Sequence, residues 1–283
     1  MNKSDKKNHG KKAEAFCNRL KEDCKRRIWP LVLFGLICFL MTAAFELNLE
    51  SYIGRELAFA KIQANIERLT RNGMISTYLI VAGIGACLFG FQGFGWLMKK
   101  EQGDFYHSQP MKRRDRFKVI YTNGILMCLV PMFLHVFVYS LLIGFRGYLS
   151  KVVAINILVN TGIFVIAFFV MYHLVILAVM LAGNLLVAYM LAAIIFTYTS
   201  ILKYLLDVFL ENYFITYVKS YTNAVAWLGY FSPVEQIYRS GNFFVRGFWN
   251  EITVHLLVLA MMAVLFLGVA LWLYKKRPSE AAG

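Results

Sequence analysis

Acidic residues are missing where a soluble protein or a proton carrier would need them. No Asp or Glu falls inside any of six long apolar blocks, and charge makes up only 16% of the 283 residues against 59% hydrophobic ones. That balance excludes an ordinary soluble domain, in which about a quarter of residues are charged. A proton-coupled carrier usually keeps an acid at membrane depth, so its absence weighs against that class as well. Other absences remove whole kinds of chemistry. No GxxxxGK[ST] phosphate loop occurs; the glycine-rich run GIGACLFGFQGFG (residues 83–95) contains no lysine and lies inside an apolar block, so the chain is not expected to be an ATPase itself. HExxH is absent, the five histidines and five cysteines show no metal-ligand spacing, and GxSxG is absent too. Intramembrane proteolysis would need a Ser/His pair or two Asp at depth, and neither is present. Cys17 and Cys24 precede the first block while Cys38, Cys87 and Cys128 lie within blocks, so no disulfide is expected. The chain is therefore read as non-catalytic, without cofactor or metal. Lacking an aromatic and basic platform outside the membrane, it is not expected to bind nucleic acid.

What is present is a membrane frame. The apolar blocks are 28–45, 75–98, 119–145, 152–181, 185–202 and 252–274. A bilayer core of about 30 Å takes roughly 20 helical residues, so each block can cross, the first and fifth only just. Barrel strands would be about half as long and would alternate apolar with polar, which these do not. The predicted fold is an all-α integral membrane protein with six transmembrane helices. Its parts are a polar leader with an amphipathic helix (1–27), the six-helix domain (28–274) and a polar tail (275–283).

Orientation follows from Lys and Arg. Residues 1–27, 99–118 and 275–277 hold twenty of them; residues 46–74, 146–151 and 203–251 hold ten, although these loops are longer. The positive-inside bias places both termini in the cytoplasm. The net charge of +14 is then topology and attraction to anionic lipid. In the leader, Ala13, Phe16, Cys17, Leu20, Cys24 and Ile28 share one helical arc, which predicts an interfacial helix lying on the membrane before Trp29 and Pro30. This charged leader is too long for a cleaved signal peptide, and five further spans follow.

Between the second and third spans lies WLMKKEQGDFYHSQPMKRRDRFKVIY (residues 96–121). It is too charged for hydrocarbon and too short for a domain. Asp104 is placed to cap one short turn, Phe105 to Ser108, and Pro110 to open a helix that runs from Met111 into the third span. A basic elbow presenting Phe105, Tyr106 and His107 results, suited to docking another protein. The other cytoplasmic turn, Leu181 to Asn184, is too tight to do so.

Elsewhere, Gly83, Ala86, Gly90 and Gly93 form a small-residue stripe that favours close helix packing, within the subunit more economically than between copies. The outer segment 46–73 reads as a helical extension or hairpin. The aromatic segment 203–251, broken at Ser232-Pro233, reads as one or two short helices at the interface. Asn123, His135, Asn156, Asn160 and His173 are polar at membrane depth. Each fits either a hydrogen-bonded packing role or a translocation path.

The string DFYHSQPMKRRDRF (residues 104–117) resembles the first cytoplasmic loop of bacterial type-2 ABC transporter permeases, where a Ser-Leu-Pro-Ile-Lys-Arg-like sequence precedes the third span. Ser108, Pro110, Lys112 and Arg113 match it, Met111 is a conservative fit, and Gln109 departs from it. The order of parts is similar as well, including Phe231-Ser232-Pro233 before the last span. The ending YKKRPSEAAG resembles a mid-chain junction in larger Firmicute-type members, so a fragment or a short member is expected.

The resemblance implies a coupling helix that docks on a separate ATP-binding subunit, with a second permease copy or homologous permease completing the path in the bacterial plasma membrane. Asp104, Phe105, Tyr106, His107, Pro110, Met111, Lys112 and Arg113 would form the docking region, with Lys112, Arg113 and Arg114 pairing charges or anchoring to lipid. An amphiphilic, lipid-like or peptide cargo moving outward suits the uncharged interior. A secondary carrier and an ATP-independent accessory protein are the competing classes.

Overall fold

The structure, a computed structural model, describes residues 3–55, 58–108, 111–214 and 226–277, and these are helical with no strand among them. The helices are α1 (Lys3–Arg26), α2 (Ile28–Arg55), α3 (Phe59–Arg68), α4 (Met74–Phe94), α5 (Lys100–Ser108), α6 (Arg113–Phe145), α7 (Lys151–Leu181), α8 (Leu185–Tyr213), α9 (Pro233–Arg246) and α10 (Trp249–Lys276). Six stretches, 28–54, 59–98, 113–145, 151–181, 185–213 and 249–276, are long and apolar enough to cross a membrane.

Several helices run past their apolar blocks, because backbone hydrogen bonding continues wherever the sequence does not interrupt it. α2 carries Glu46 and Glu50 beyond the first block, and both pair with Arg146 at the corner between α6 and α7, the second at 3.4 Å. α8 likewise extends through Lys203, Asp207 and Glu211. The outer segment after α2 forms α3 and a five-residue π turn, Leu69–Gly73, that leads into α4.

α7 is the central post. Inside the bundle it buries 78% of its most apolar window, against 56% for the α3–α4 arm and 17–28% for the other four spans. The other four thus leave wide apolar faces uncovered, as lipid-facing helices do. α4 lies closest against α7, and the small-residue stripe makes this approach possible. A Cβ at Gly90 would sit 2.6 Å from Val175 Cγ1, and one at Gly83 would sit 3.5 Å from Met171 Sδ. Ala86 is fully buried between them. The stripe is thus spent inside the subunit. Gly90→Leu should cost roughly 1–3 kcal/mol by overpacking. A clear drop in the unfolding midpoint of the detergent-solubilised protein checks this; an unchanged midpoint would show that the two helices do not meet at Gly90.

At the end opposite the elbow, Ser232 and Pro233 start a helix. The Ser232 hydroxyl accepts the Glu235 N–H at 3.1 Å, Pro233 occupies the first turn where its missing donor costs nothing, and Gly247 ends α9 with φ of 79°. α9 lays Ile237 and Phe244 onto the ends of α4, α7 and α10.

Two boundary expectations are corrected. Asp104 does not cap a helix; it lies within α5, which starts at Lys100 after the 3₁₀ turn Gly95–Met98 and an extended Lys99. Trp96, the buried residue of this turn, fixes where the chain leaves the bundle, and a capping argument based on Asp104 alone does not register that anchor. α6 begins at Arg113 rather than Met111, because Lys112 is extended (φ −63°, ψ 139°). Gln109 and Pro110 lie outside the described residues, as do the side chains of Phe105, Tyr106 and His107.

Candidate functional site

The elbow is fastened at both roots. On the entering leg, Trp96 is 3% exposed and lies under the Arg116 guanidinium at 5.6 Å, while Phe94 meets Phe117 with ring centres 5.1 Å apart. Arg116 and Phe117 both belong to the first turns of α6, so side chains of the departing leg hold the arriving one. On the return stretch, Met111 is half-buried and lines a small cavity together with Arg19, Glu22 and Asp23 of α1. Between these roots α5 packs mainly on the 3₁₀ turn, and Glu101, Gln102, Asp104 and Ser108 are exposed. A short helix results whose base is packed and whose described residues, apart from the buried Gly103, are exposed.

The end of α1 is tied into the bundle. Asp23 in its last turn and Arg27, the turn residue that follows it, are 7% and 3% exposed and paired at 3.2 Å. Arg27 also donates to the Gly93 carbonyl at 3.2 Å, and Asn123 donates to Asp23 at 2.7 Å and to the Leu20 carbonyl at 3.0 Å. Gly93 has no side chain to displace the guanidinium: a Cβ there would lie 3.1 Å from Arg27 Nη1. Of the expected apolar arc, Cys17 is exposed and Leu20 and Cys24 are only half-buried. A wheel that sends every charge outward misses the pair; the signal that could have found it is the i, i+4 spacing of Asp23 and Arg27 at the edge of a span.

The structure does not bring the five polar residues of the third and fourth spans together. Asn156 donates to the carbonyl of Glu67 at 3.2 Å, and Asn160 to that of Thr70 at 2.7 Å. Thr70 lies in the π turn and Glu67 just before it in the last turn of α3, so the two amides bond carbonyls at and beside the place where the helical ladder widens.

His135 is held between Thr42 (2.6 Å) and Tyr78 (3.3 Å). The Thr42 hydroxyl already donates to Cys38, so His135 Nδ1–H donates to Thr42 and Nε2 accepts from Tyr78. His173 Nδ1–H donates to the Ala263 carbonyl at 2.9 Å and Nε2 accepts from Tyr121 at 2.8 Å, tying α7 to α10 and α6. His255, which the sequence reading passed over, bonds Gln236, whose amide donates to Gly229. None of Asn123, His135, Asn156, Asn160 and His173 lines the grooves described next.

Two grooves open at the elbow end. One of about 1010 Å³ runs between the α1–α2 junction, α4 and the start of α8, where Arg26, Arg27 and Lys99 lie near Leu79, Ile84 and Leu88, and the buried Gln92 Oε1 has no hydrogen-bond partner among the described residues. The other, about 500 Å³, separates the bases of α6 and α10.

At the opposite end Glu235 holds α9 to α8, receiving Lys203 at 3.1 Å and Arg239 at 2.6 Å. Burial alone would raise its carboxyl pKa, but the hydrogen bonds and charges of Arg239 and Lys203 outweigh that and leave it below the ordinary carboxylate value. A depressed folded-state pKa means the cluster stabilises fully above the unfolded carboxylate pKa and stops doing so as pH falls through the folded one. The unfolding midpoint of the protein should therefore fall on acidification, and Glu235→Gln should flatten that part of the profile. Superimposable profiles would place Glu235 in solvent.

No family model matches the chain, and no curated protein or solved structure matches it either.

Proposed function

We propose that the chain is a permease subunit of an ATP-driven transporter of the type-2 ABC kind, with α5 as the coupling helix that docks on a separate ATP-binding subunit. The observation that carries this reading is the elbow itself: a nine-residue helix between two spans, exposed at Glu101, Gln102, Asp104 and Ser108 and clamped at its base by Trp96 on Arg116 and Phe94 on Phe117. A loop meant only to connect α4 and α6 needs no such clamp. A loop that passes a push from a partner to both helices does, because slack at either root would absorb the movement. α6 then runs for 33 residues, with Pro131 near its middle, and α4 is packed on the central α7, so displacement of the elbow reaches the bundle through the first half of α6 and through α4.

On this reading the elbow and both termini are cytoplasmic in a bacterial plasma membrane. The docking region is Asp104, Phe105, Tyr106, His107, Pro110, Met111, Lys112 and Arg113. The translocation path is shared with a second permease copy or a homologous one, across the uncovered faces of the outer spans. The five polar residues at depth serve the bundle as hydrogen-bonded ties. The apolar blocks, which hold no acidic residue, suit an amphiphilic cargo, and export is the direction proposed.

Affinity purification of the full chain from its native membranes tests the reading. A nucleotide-hydrolysing polypeptide should co-purify, with ATPase activity that depends on the permease. A preparation without any such polypeptide favours an accessory protein or a secondary carrier.

A further inference from the structure

The cleft between the bases of α6 and α10 is lined by Arg113, Arg114, Lys118 and Lys275 above a floor of Phe117, Tyr121, Leu267, Leu271 and Tyr274. Four cations and no carboxylate meet there, and none of the four forms an ion pair among the described residues. α6 begins at the cleft with no side-chain cap; Asp115 in its first turn is not among the residues that line the cleft. Arg277, nearby, donates to the Val179 carbonyl at 3.0 Å, and burial followed by the Arg113 charge holds its guanidinium below the ordinary value. Such repulsion among cations is relieved by an anion.

The apolar floor decides what kind of anion. Tyr121, Leu267 and Leu271 belong to membrane-crossing helices, and the Tyr121 hydroxyl is already spent on His173. The cleft thus offers charge at the headgroup level and hydrocarbon contact directly beneath it. A free anion would use only the first, an acidic peptide would leave the floor wet, and a lipid uses both. The rim is also well braced: Arg113 lies over the Tyr274 ring at 4.7 Å and accepts the Tyr274 hydroxyl on its carbonyl at 3.1 Å.

We infer that this cleft is a binding site for one anionic phospholipid of the elbow-side leaflet, its phosphodiester held by Arg113, Arg114, Lys118 and Lys275 and its acyl chains on Leu267 and Leu271. The site lies at the root of α6, immediately after the elbow, so the bound lipid fixes α6 to α10 where the elbow rejoins the bundle. This inference goes beyond the transporter reading and needs no ATPase.

The test is native mass spectrometry of the detergent-solubilised full chain titrated with phosphatidylglycerol, phosphatidylcholine and inorganic phosphate. One phosphatidylglycerol should bind in clear preference to phosphatidylcholine, and phosphate alone should not displace it. Each basic residue near the headgroup strengthens such binding several-fold, so Arg114→Gln with Lys118→Gln should weaken the retained phosphatidylglycerol about thirtyfold. Both residues are exposed, and circular dichroism would show helix content unchanged. Leu271→Trp, which fills the floor and keeps every charge, should weaken it as well. Equal binding of the two lipids, displacement by phosphate, stronger binding of a Glu-rich peptide, or an undiminished preference in both variants would each overturn the assignment.

Discussion

Replacing Asp23 with Ala should destabilise the protein by roughly 3–5 kcal/mol, the cost of leaving one buried charge without its partner. The loss would be large because three bonds depend on that carboxylate's position. It pairs with Arg27, accepts from Asn123, and thereby keeps the guanidinium pointed at the Gly93 carbonyl. Removing it strands a cation that is 3% exposed and set against Gly93 of α4. Asp23→Leu combined with Arg27→Met should recover most of the loss, since well-packed apolar residues can replace a buried pair at little net cost. Thermal unfolding in detergent would read both. A midpoint for Asp23→Ala equal to that of the parent protein would mean that α1 is not seated on α6 as described.

The second large effect concerns coupling. Phe105→Ala with Tyr106→Ala should abolish transport-linked stimulation of the partner's ATPase while the protein still inserts and purifies. Aromatic anchors at the centre of an interface commonly contribute about 2 kcal/mol or more each, so losing two should weaken docking by at least a hundredfold. The substitutions lie in α5, away from the clamp of Trp96 on Arg116, so the elbow's base should stay folded. Stimulation that survives both changes would mean that force enters elsewhere. Trp96→Ala should also uncouple, but with a fall in thermal stability that the elbow variant does not show.

The six spans were legible because a membrane demands long apolar runs, and such runs are visible without any knowledge of packing. The Gly83–Gly93 stripe was legible for a related reason: small residues at helical spacing mark close approach, and Gly90 against Val175 realises it. The start of α9 at Ser232-Pro233 could be read from local cap chemistry. What stayed hidden depended on partners distant in sequence. Asn156 and Asn160 show their periodicity but not the carbonyls at and beside the π turn, about 86–90 residues upstream, that they satisfy. Asp23 and Arg27 look solvent-facing until Asn123 and Gly93 are brought beside them. The elbow's starting residue was misread because Trp96, rather than the capping residue, sets where the chain turns out of the bundle.

The central claim is that α5 touches an ATP-hydrolysing partner on the cytoplasmic side. A photo-crosslinking amino acid placed at Asp104, exposed in the middle of α5, tests it in native membranes. The account predicts one adduct with an ATP-binding polypeptide, its yield changing when ATP is trapped in that partner by vanadate. An adduct only with lipid, or a residue 104 that membrane-impermeant reagents reach only from outside the cell, would contradict it.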